Sequence, residues 1–336
     1  MTIPAAIVGL EPIQQDWIRA LHQAHQDGLI KLVAVGHELM TEARKSGQDF
    51  DVPFYVDLRR MMLETAPRIV LIDRPRQFPL DFIEACLQQE IGVFSLGPPV
   101  HTLAEAHRLN LTLPPRTHLL YVWPRMSESW AWRQCAQSDD YLRGGIYLKG
   151  CWAGINHAAA RNWQVREGVV RSLSVLAWDA CHTVLELLGL PAALYASLQG
   201  TLGDGDQFID VSGHAAITMR FLEATANVTI SDQETPARRE LMLFSPHGAL
   251  RLDEHSFRFT AAATGQPREE DSIAVEPSWR KARRELEEFC RQFTAPPSPQ
   301  RGWPHGLIET ASMMTALLVS HRTNNAESPQ HFRSLR

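Results

Sequence analysis

The stretch Ala5-Ala6-Ile7-Val8-Gly9 decides the fold of this 336-residue chain. Four apolar residues form a short run that a glycine ends, which is typical of a buried strand followed by a tight turn. From Ile13 to Gln26 the apolar residues recur at helical spacing, and Ile30–Val35 is again rich in β-branched residues. This order of strand, helix and strand, with short connections, predicts a parallel, doubly wound sheet.

The same alternation continues toward residue 122. A helix is predicted at 57–65, followed by a strand at 68–72, a helix at 79–89, and strands at 91–95 and 116–122. Thr102 followed three residues later by Glu105 has the spacing of a capping box, which predicts that a helix begins there. Trp123-Pro124 then marks a predicted domain boundary, so residues 1–122 form the first domain.

The pattern changes after that boundary. A long strand is predicted at 144–152 and a helix at 174–188, followed by a run of strands to Leu252 that predicts a large, mostly antiparallel open sheet with flanking helices. Ser278–Phe293 is predicted as an amphipathic helix, and a final helix spans about 306–321. The second, α+β domain is therefore predicted at 123–322, and the polar residues 323–336 are predicted to be disordered.

Composition excludes several classes of partner. The net charge of −5 offers no electrostatic footprint for nucleic acid, and no apolar run approaches the roughly 20 residues that cross a bilayer. The five cysteines are scattered and include no C-x-x-C pair, which predicts a reducing, cytoplasmic setting and no metal site.

The order and spacing of these segments resemble the glucose–fructose oxidoreductase / inositol dehydrogenase (Gfo/Idh/MocA) family from about Ala5 to about Ser320. The matching pieces include Ile7-Val8-Gly9, the joint Val52-Pro53 with Tyr55-Val56-Asp57, and Pro98 with the helix after Thr102. The resemblance implies a Rossmann-like dinucleotide-binding-type domain followed by a substrate and oligomerisation domain. It also implies NAD or NADP as cofactor, a sugar, cyclitol or related polyol as substrate, and a homo-oligomer formed through the C-terminal sheet.

The residues that would hold the cofactor depart from the family pattern. The family's G-x-G-x-x-G corresponds to residues 9–14, where only Gly9 remains, Glu11 brings a carboxylate toward the phosphate position and Pro12 lacks a backbone donor. The family's ribose-binding acid corresponds to His37, with Glu38 one residue later. The candidate cofactor-binding residues are Gly9, His37, Glu38, Arg74, Pro75, Arg76 and Pro98.

The residues that would transfer protons depart from it as well. The family's lysine corresponds to Gly97, and the acid of its D-x-x-x-H pair corresponds to Trp178, whereas the histidine is retained as His182. Asp179 lies one residue after Trp178, about 100° further round a helix. The resemblance makes His182 a general acid/base, with Asp179 as a second candidate. The alternative for His182 is a hydrogen-bonded histidine within the core.

The mouth of the predicted sheet carries unusual side chains. Ligands bind an open parallel sheet where strand carboxyl ends meet, and Arg74 and Arg76 follow such an end beside Asp73. Two arginines there could clamp a carboxylate or a phosphate of an anionic ligand, and the alternative is a surface ion pair between Asp73 and Arg76. A group of tryptophans could line a cleft or pack the core: Trp123, Trp130, Trp132, Trp152, Trp163 and Trp178.

Two classes of function follow from the sequence. The first is an NAD(P)-dependent oxidoreductase that acts on a polyol. The second is a non-catalytic relative, a ligand-binding or assembly subunit that keeps the fold without the chemistry. The losses at Gly97 and Trp178, on two different domains, favour the second class for the mechanism, and the resemblance over the whole chain favours the first.

Overall fold

A computed structural model describes most of the chain. The described residues are 2–10, 14–37, 39–73, 80–100, 102–113, 117–123, 126–136, 144–155, 172–201, 212–295 and 306–334.

The N-terminal part contains a parallel sheet of six described strands in the order β3-β2-β1-β4-β5-β6. This is the strand order of a doubly wound sheet: the chain adds strands on one side of β1 as far as β3, and on the other side from β4 onward. The predicted fold class is therefore confirmed for this part. Its strands are β1 (Ile3–Val8), β2 (Ile30–Gly36), β3 (Phe54–Tyr55), β4 (Ile69–Asp73), β5 (Gly92–Leu96) and β6 (Leu120–Val122).

The helices of this part connect successive strands. They are α1 (Gln15–Gln26), α2 (Met40–Phe50), α3 (Leu58–Thr65), α4 (Leu80–Gln88) and α5 (Leu103–Thr112). The predicted cap of α5 is present, because the Thr102 hydroxyl accepts a hydrogen bond from the Glu105 amide at 3.2 Å. The sequence did not predict α2, whose residues are mostly polar.

The C-terminal part is built on a sheet of eight described strands. Their order is β14-β13-β12-β11-β7-β10-β9-β8. Neighbours pair antiparallel, except that β10 pairs parallel with β7. The predicted, mostly antiparallel sheet is therefore confirmed. The strands are β7 (Tyr147–Ile155), β8 (Ala193–Thr201), β9 (Ser212–Arg220), β10 (Thr225–Ser231), β11 (Gln233–Ser245), β12 (Gly248–Asp253), β13 (Ser256–Ala261) and β14 (Pro267–Ser272).

One face of the large sheet packs against helices and the other is open. The described helices of this part are α6 (Trp130–Cys135), α7 (Leu173–Leu188), α8 (Ser278–Thr294), α9 (Leu307–Thr323) and α10 (Pro329–Arg333). Along β9 the burial alternates strictly, which places every second side chain in the core beneath α7 and α9. Four of the six tryptophans considered for a cleft are core residues instead: Trp123, Trp132, Trp152 and Trp178.

Helix α8 packs on the N-terminal sheet although it belongs to the C-terminal part of the sequence. Its stripe of Ala282, Leu286, Phe289 and Cys290 is buried with Trp17 of α1 and with β-strand side chains of the N-terminal sheet. The predicted division at residue 122 therefore does not describe this helix. The hydrophobic stripe was predicted correctly, but a stripe alone does not indicate which sheet it covers.

The prediction of a disordered tail was wrong for residues 323–334. The segment after α9 runs along the edge strand β8, where Leu194 and Glu327 exchange backbone hydrogen bonds of 2.7 and 2.8 Å. The Tyr195 hydroxyl donates to the Asn324 side chain at 2.7 Å, and Arg333 pairs with Glu309 at 2.9 Å. Polar residues order here because they complete the hydrogen bonding of a sheet edge.

Candidate functional site

The carboxyl edge of the N-terminal sheet brings four residues onto one line. Val8 pairs with Gly36 of β2 and with Ile72 of β4, so the residues that follow them, Gly9, His37 and Asp73, end three neighbouring strands. Leu96 of β5 pairs with Asp73 and extends the line. This edge is the place where a doubly wound sheet binds its ligand, as the sequence predicted.

Gly9 forms the tight turn that leaves β1. Its φ of +72° lies in the left-handed region, and its amide donates to the Gly36 carbonyl at 2.9 Å. Leu10 is buried in the core immediately after it. Gly9 therefore supplies the tight turn for which a dinucleotide-binding loop uses its first glycine.

The start of α1 does not match a dinucleotide site as well as the turn does. Gln14 precedes the helix, and its buried side chain stands where the family places a glycine that lets helix and strand approach. Asp16 lies in the first turn, at the positive end of the helix dipole where a phosphate would bind. The described residues keep the frame of a dinucleotide site and lack its specific contacts, so we derive no chemical step through a nicotinamide cofactor.

His37 is held in one orientation at the end of β2. Its ring is buried, its amide donates to the Tyr55 carbonyl at 3.0 Å, and its Nδ1 accepts from the Leu39 amide at 3.0 Å. Because Nδ1 accepts, the ring carries its proton on Nε2 and presents a donor. A ribose-binding carboxylate would present an acceptor instead. Glu38, Arg74, Pro75, Arg76 and His101 lie outside the described residues.

The turn after β5 offers no titratable side chain from Leu96 to Val100. The Ser95 hydroxyl donates to the Gly97 carbonyl at 2.9 Å, and Gly97 has a φ of +142°. An L-residue is strained in that conformation, so the backbone itself disfavours a lysine at position 97. All five residues are buried, Pro98 among them.

A buried carboxylate holds the N-terminus of α7, the helix that carries both candidate acid/base residues, Asp179 and His182. Asp232, which lies between β10 and β11, accepts the Leu173 amide at 2.9 Å and the Gly213 amide at 2.8 Å. This buried carboxylate satisfies a donor at the helix N-terminus and fixes the helix to the sheet.

Asp179 lies at the centre of a buried hydrogen-bond network. One carboxylate oxygen accepts the Met126 amide at 2.7 Å, and the other accepts the Trp152 indole N–H at 2.9 Å and an Arg239 N–H at 2.7 Å. Asp179 and Arg239 are each 1% exposed. Three donors already hold this carboxylate, which is the environment of a structural anchor.

His182 is also buried, at 3% exposure. Its Nδ1 lies 3.6 Å from a carboxylate oxygen of Glu186, one turn further along the helix. Trp178, at the position of the family's acid, packs in the core with Leu176 and Val184. The surroundings of His182 on α7 are therefore mostly apolar, as the alternative of a core histidine requires.

Arg239 is a buried charge that the sequence analysis did not single out. It lies on β11 in the same inward-facing row as Leu241 and Leu243. Burial alone would lower its pKa, but the attraction of Glu254 and Asp179 outweighs it and holds the pKa above its ordinary value. An arginine at an inward position of an alternating strand is a signal in the sequence that calls for buried acidic partners.

The N-terminal part of the chain is similar to a known protein family. The model of the oxidoreductase family with an NAD-binding Rossmann fold (GFO_IDH_MocA) matches residues 3–122. No curated protein matches the chain. The resemblance to the Gfo/Idh/MocA family is thereby confirmed on the part of the chain that carries the Rossmann-type sheet.

Solved structures extend the likeness of fold to the whole chain. An NAD-binding oxidoreductase from Klebsiella pneumoniae has a TM-score of 0.75 at 12% identity, and the match covers 98% of this chain and 99% of that one. Levoglucosan dehydrogenase in complex with NADH and L-sorbose gives the same values. An oxidoreductase from Agrobacterium radiobacter in complex with NAD+, L-tartaric acid and magnesium has a TM-score of 0.72 at 14% identity, with coverages of 98% and 99%.

Two further observations concern the part of the chain that the structure describes. None of its helices combines the length and apolarity that crossing a bilayer requires. Its His, Cys, Asp and Glu side chains form no group of three or more that could hold a metal ion.

Proposed function

We propose that this chain, whose residues 3–122 match the oxidoreductase family with an NAD-binding Rossmann fold, is a ligand-binding relative of those enzymes that performs no hydride transfer. The observation that carries the proposal is the turn after β5, where no side chain from Leu96 to Val100 can hold or relay a proton. The φ of +142° at Gly97 supports it, because the turn is built for a glycine.

The environments of Asp179 and His182 on α7 support the same proposal. Asp179 is bound by three donors, one of which is the buried, charged Arg239, so it is not available to accept a proton from a substrate. His182 is buried beside Glu186 on a mostly apolar helix. Neither side chain has the access that proton transfer to a bound molecule requires.

The ligand we propose is a small polyol or an anionic small molecule. Asp73 ends β4 at the carboxyl edge of the N-terminal sheet, and Arg74 and Arg76 follow it in the sequence; two guanidinium groups suit a carboxylate or a phosphate. Complexes of fold relatives contain L-sorbose in one case and L-tartaric acid in another. Both molecules belong to the classes that these side chains suit.

A turnover assay tests the absence of hydride transfer. The protein is incubated with NAD+ or NADP+ and a panel of polyols and hydroxy acids, and reduced cofactor is followed by its absorbance. We expect no reduction above the rate of a blank. Reduction that His182→Gln abolishes and that His247→Gln, an exposed turn residue, leaves intact would contradict the proposal.

A second candidate function is NAD(P)-dependent oxidation of a sugar, cyclitol or related polyol. It is favoured by the positive φ of Gly9 and by the strand order that reverses at β1 and β4, which together keep the frame for NAD or NADP. The discriminating property is cofactor affinity. Micromolar binding that His37→Ala weakens, with His247→Ala unchanged as the control, would favour this candidate.

We also propose that the chain assembles as a homo-oligomer through the open face of the C-terminal sheet, in the cytoplasm. That face carries small polar side chains around a groove of about 280 Å³ lined by Ser197, His214 and Thr229 among others. The five cysteines are free, which suits a reducing compartment. Sedimentation equilibrium should give at least a dimer, and Thr229→Lys should dissociate it. A monomeric mass for the parent would contradict the proposal, and Leu222→Lys, at a 97% exposed turn position, is the control.

A further inference from the structure

Four charged side chains of alternating sign form a chain between the two sheets. Asp179 of α7 pairs with Arg239 of β11, Arg239 pairs with Glu254 in the turn between β12 and β13, and Glu254 pairs with Lys281 of α8. The exposed fractions of these side chains are 1%, 1%, 15% and 12%. We call this set the ionic clamp.

One end of the ionic clamp holds the segment by which the chain leaves the N-terminal sheet. After β6 the chain passes through Trp123 to a single 3-10 turn, Met126–Glu128, before it enters the C-terminal part. The Met126 amide donates to Asp179 at 2.7 Å in a buried hydrogen bond. The outgoing connection is thus tied to the carboxylate that Arg239 also holds.

The other end holds the helix by which the chain returns to the N-terminal sheet. Four residues after Lys281, Glu285 accepts a hydrogen bond from the Tyr121 hydroxyl of β6 at 2.7 Å, and both residues are buried. On the same helix, Arg283 pairs with Asp27, next to the end of α1, at 3.2 Å. Helix α8 therefore moves with the N-terminal sheet, and Lys281 is its ionic contact with the turn of the C-terminal sheet.

We propose that the ionic clamp fixes the orientation of the two sheets relative to each other, with Arg239 as its central positioning residue. Apolar side chains of similar volume would stabilise such a buried contact equally well, because removing charges from water offsets most of their attraction. Ion pairs that are also hydrogen bonds restrict the relative orientation of their groups, because the planar Arg239 guanidinium can bind its two carboxylates in only a few arrangements. The clamp accordingly sets geometry at two of the places where the chain crosses between the sheets.

A distance measurement between the two parts tests this role. Spin labels are placed at Leu63→Cys on α3 and at Leu222→Cys in the turn after β9, which are 85% and 97% exposed. The background carries Cys151→Ser, because Cys151 is the free cysteine that is not fully buried. The labelled protein is diluted into an excess of unlabelled protein, so that distances between copies do not contribute, and the parent should give one narrow distance distribution by double electron–electron resonance.

The variants act at the more accessible half of the ionic clamp, so that folding is preserved. Lys281→Met and Glu254→Gln should each widen the distribution at least twofold or add a second population. Arg284→Gln is the matched control, because it removes an ion pair of α8 with Glu276 that lies outside the clamp. A distribution as narrow as the parent's in both folded variants would overturn the proposal.

Hydrogen exchange provides the second readout. In Lys281→Met, amide exchange should rise at least tenfold in α8 and in residues 126–135 and stay unchanged in β9 and β10. A uniform rise over all these segments would also overturn the proposal, because it would assign the ionic clamp to overall stability alone.

Discussion

Replacing Phe289 by alanine tests whether α8 is part of the N-terminal core. The Phe289 ring is 1% exposed and lies 5.4 Å from the ring of Phe94 and 5.9 Å from that of Tyr121, measured between centroids. A Cβ added at Gly92 would meet this ring at 3.0 Å, so the β5 backbone approaches it closely and has little room to fill a cavity.

The magnitude follows from that packing. Truncating a buried phenylalanine costs about 3–5 kcal/mol, and the value rises with the cavity that remains. We expect the free energy of unfolding to fall by about 4 kcal/mol, because both aromatic contacts with the N-terminal sheet are lost and the neighbouring strand cannot collapse inward.

Urea unfolding measures the change, with the slope of the free energy against urea compared between parent and variant. Leu63→Ala on the exposed side of α3 is the control and should stay within about 0.5 kcal/mol of the parent. A loss of less than about 1 kcal/mol for Phe289→Ala would contradict the prediction, because it would mean that the packing of α8 on the N-terminal sheet contributes little to stability.

Three further predictions concern single features. Thr102→Ala should lower the free energy of unfolding by about 1 kcal/mol in urea because α5 loses its cap, and Thr102→Ser should restore most of it. Tyr121→Phe should lower the free energy of unfolding by about 1–3 kcal/mol because the buried Glu285 loses the hydrogen bond that the Tyr121 hydroxyl donates; a neutral result would contradict the contact. Burial raises the pKa of four cysteine thiols to about 12, so between pH 7 and 9 a maleimide should label only Cys151 in the folded protein; fast labelling of a second thiol would contradict the burial of Cys86, Cys135, Cys181 and Cys290.

The local pattern of the sequence predicted the N-terminal sheet and most of its helices. Short runs of apolar and β-branched residues predicted the strands, and the spacing of Thr102 and Glu105 predicted a cap that the structure contains. Helix α2 was missed because its residues 40–50 are largely polar. Local patterns therefore identified buried strands as continuous apolar runs and helices by their apolar stripes.

Packing between distant segments was not accessible in the same way. The stripe of α8 was recognised, but its position on the N-terminal sheet depends on the contacts of Phe289 with Phe94 and Tyr121, which lie 195 and 168 residues earlier in the sequence. The tail was predicted to be disordered because it is polar, whereas its order depends on the free edge of β8. Both outcomes were decided by tertiary contacts that composition does not encode.

Part of the candidate site likewise follows from local sequence patterns, and part of it required the structure. The residues at the carboxyl edge, Gly9, His37 and Asp73, follow from strand order alone and lie where the sequence placed them. The part played by Asp179 required the structure, since it depends on Arg239 in a strand 60 residues later. The inward position of Arg239 in an alternating strand is the clue that a sequence analysis could have used.

Calorimetric titration of the purified protein with NAD+, NADH, NADP+ and NADPH shows whether the chain binds a nicotinamide cofactor. We expect no heat of binding for any of the four at millimolar concentration. The reasons are that His37 presents a donor in place of the ribose acceptor and that Gln14 and Asp16 occupy the phosphate end of α1. Binding in the micromolar range that His37→Ala abolishes, while His247→Ala retains it, would contradict the account.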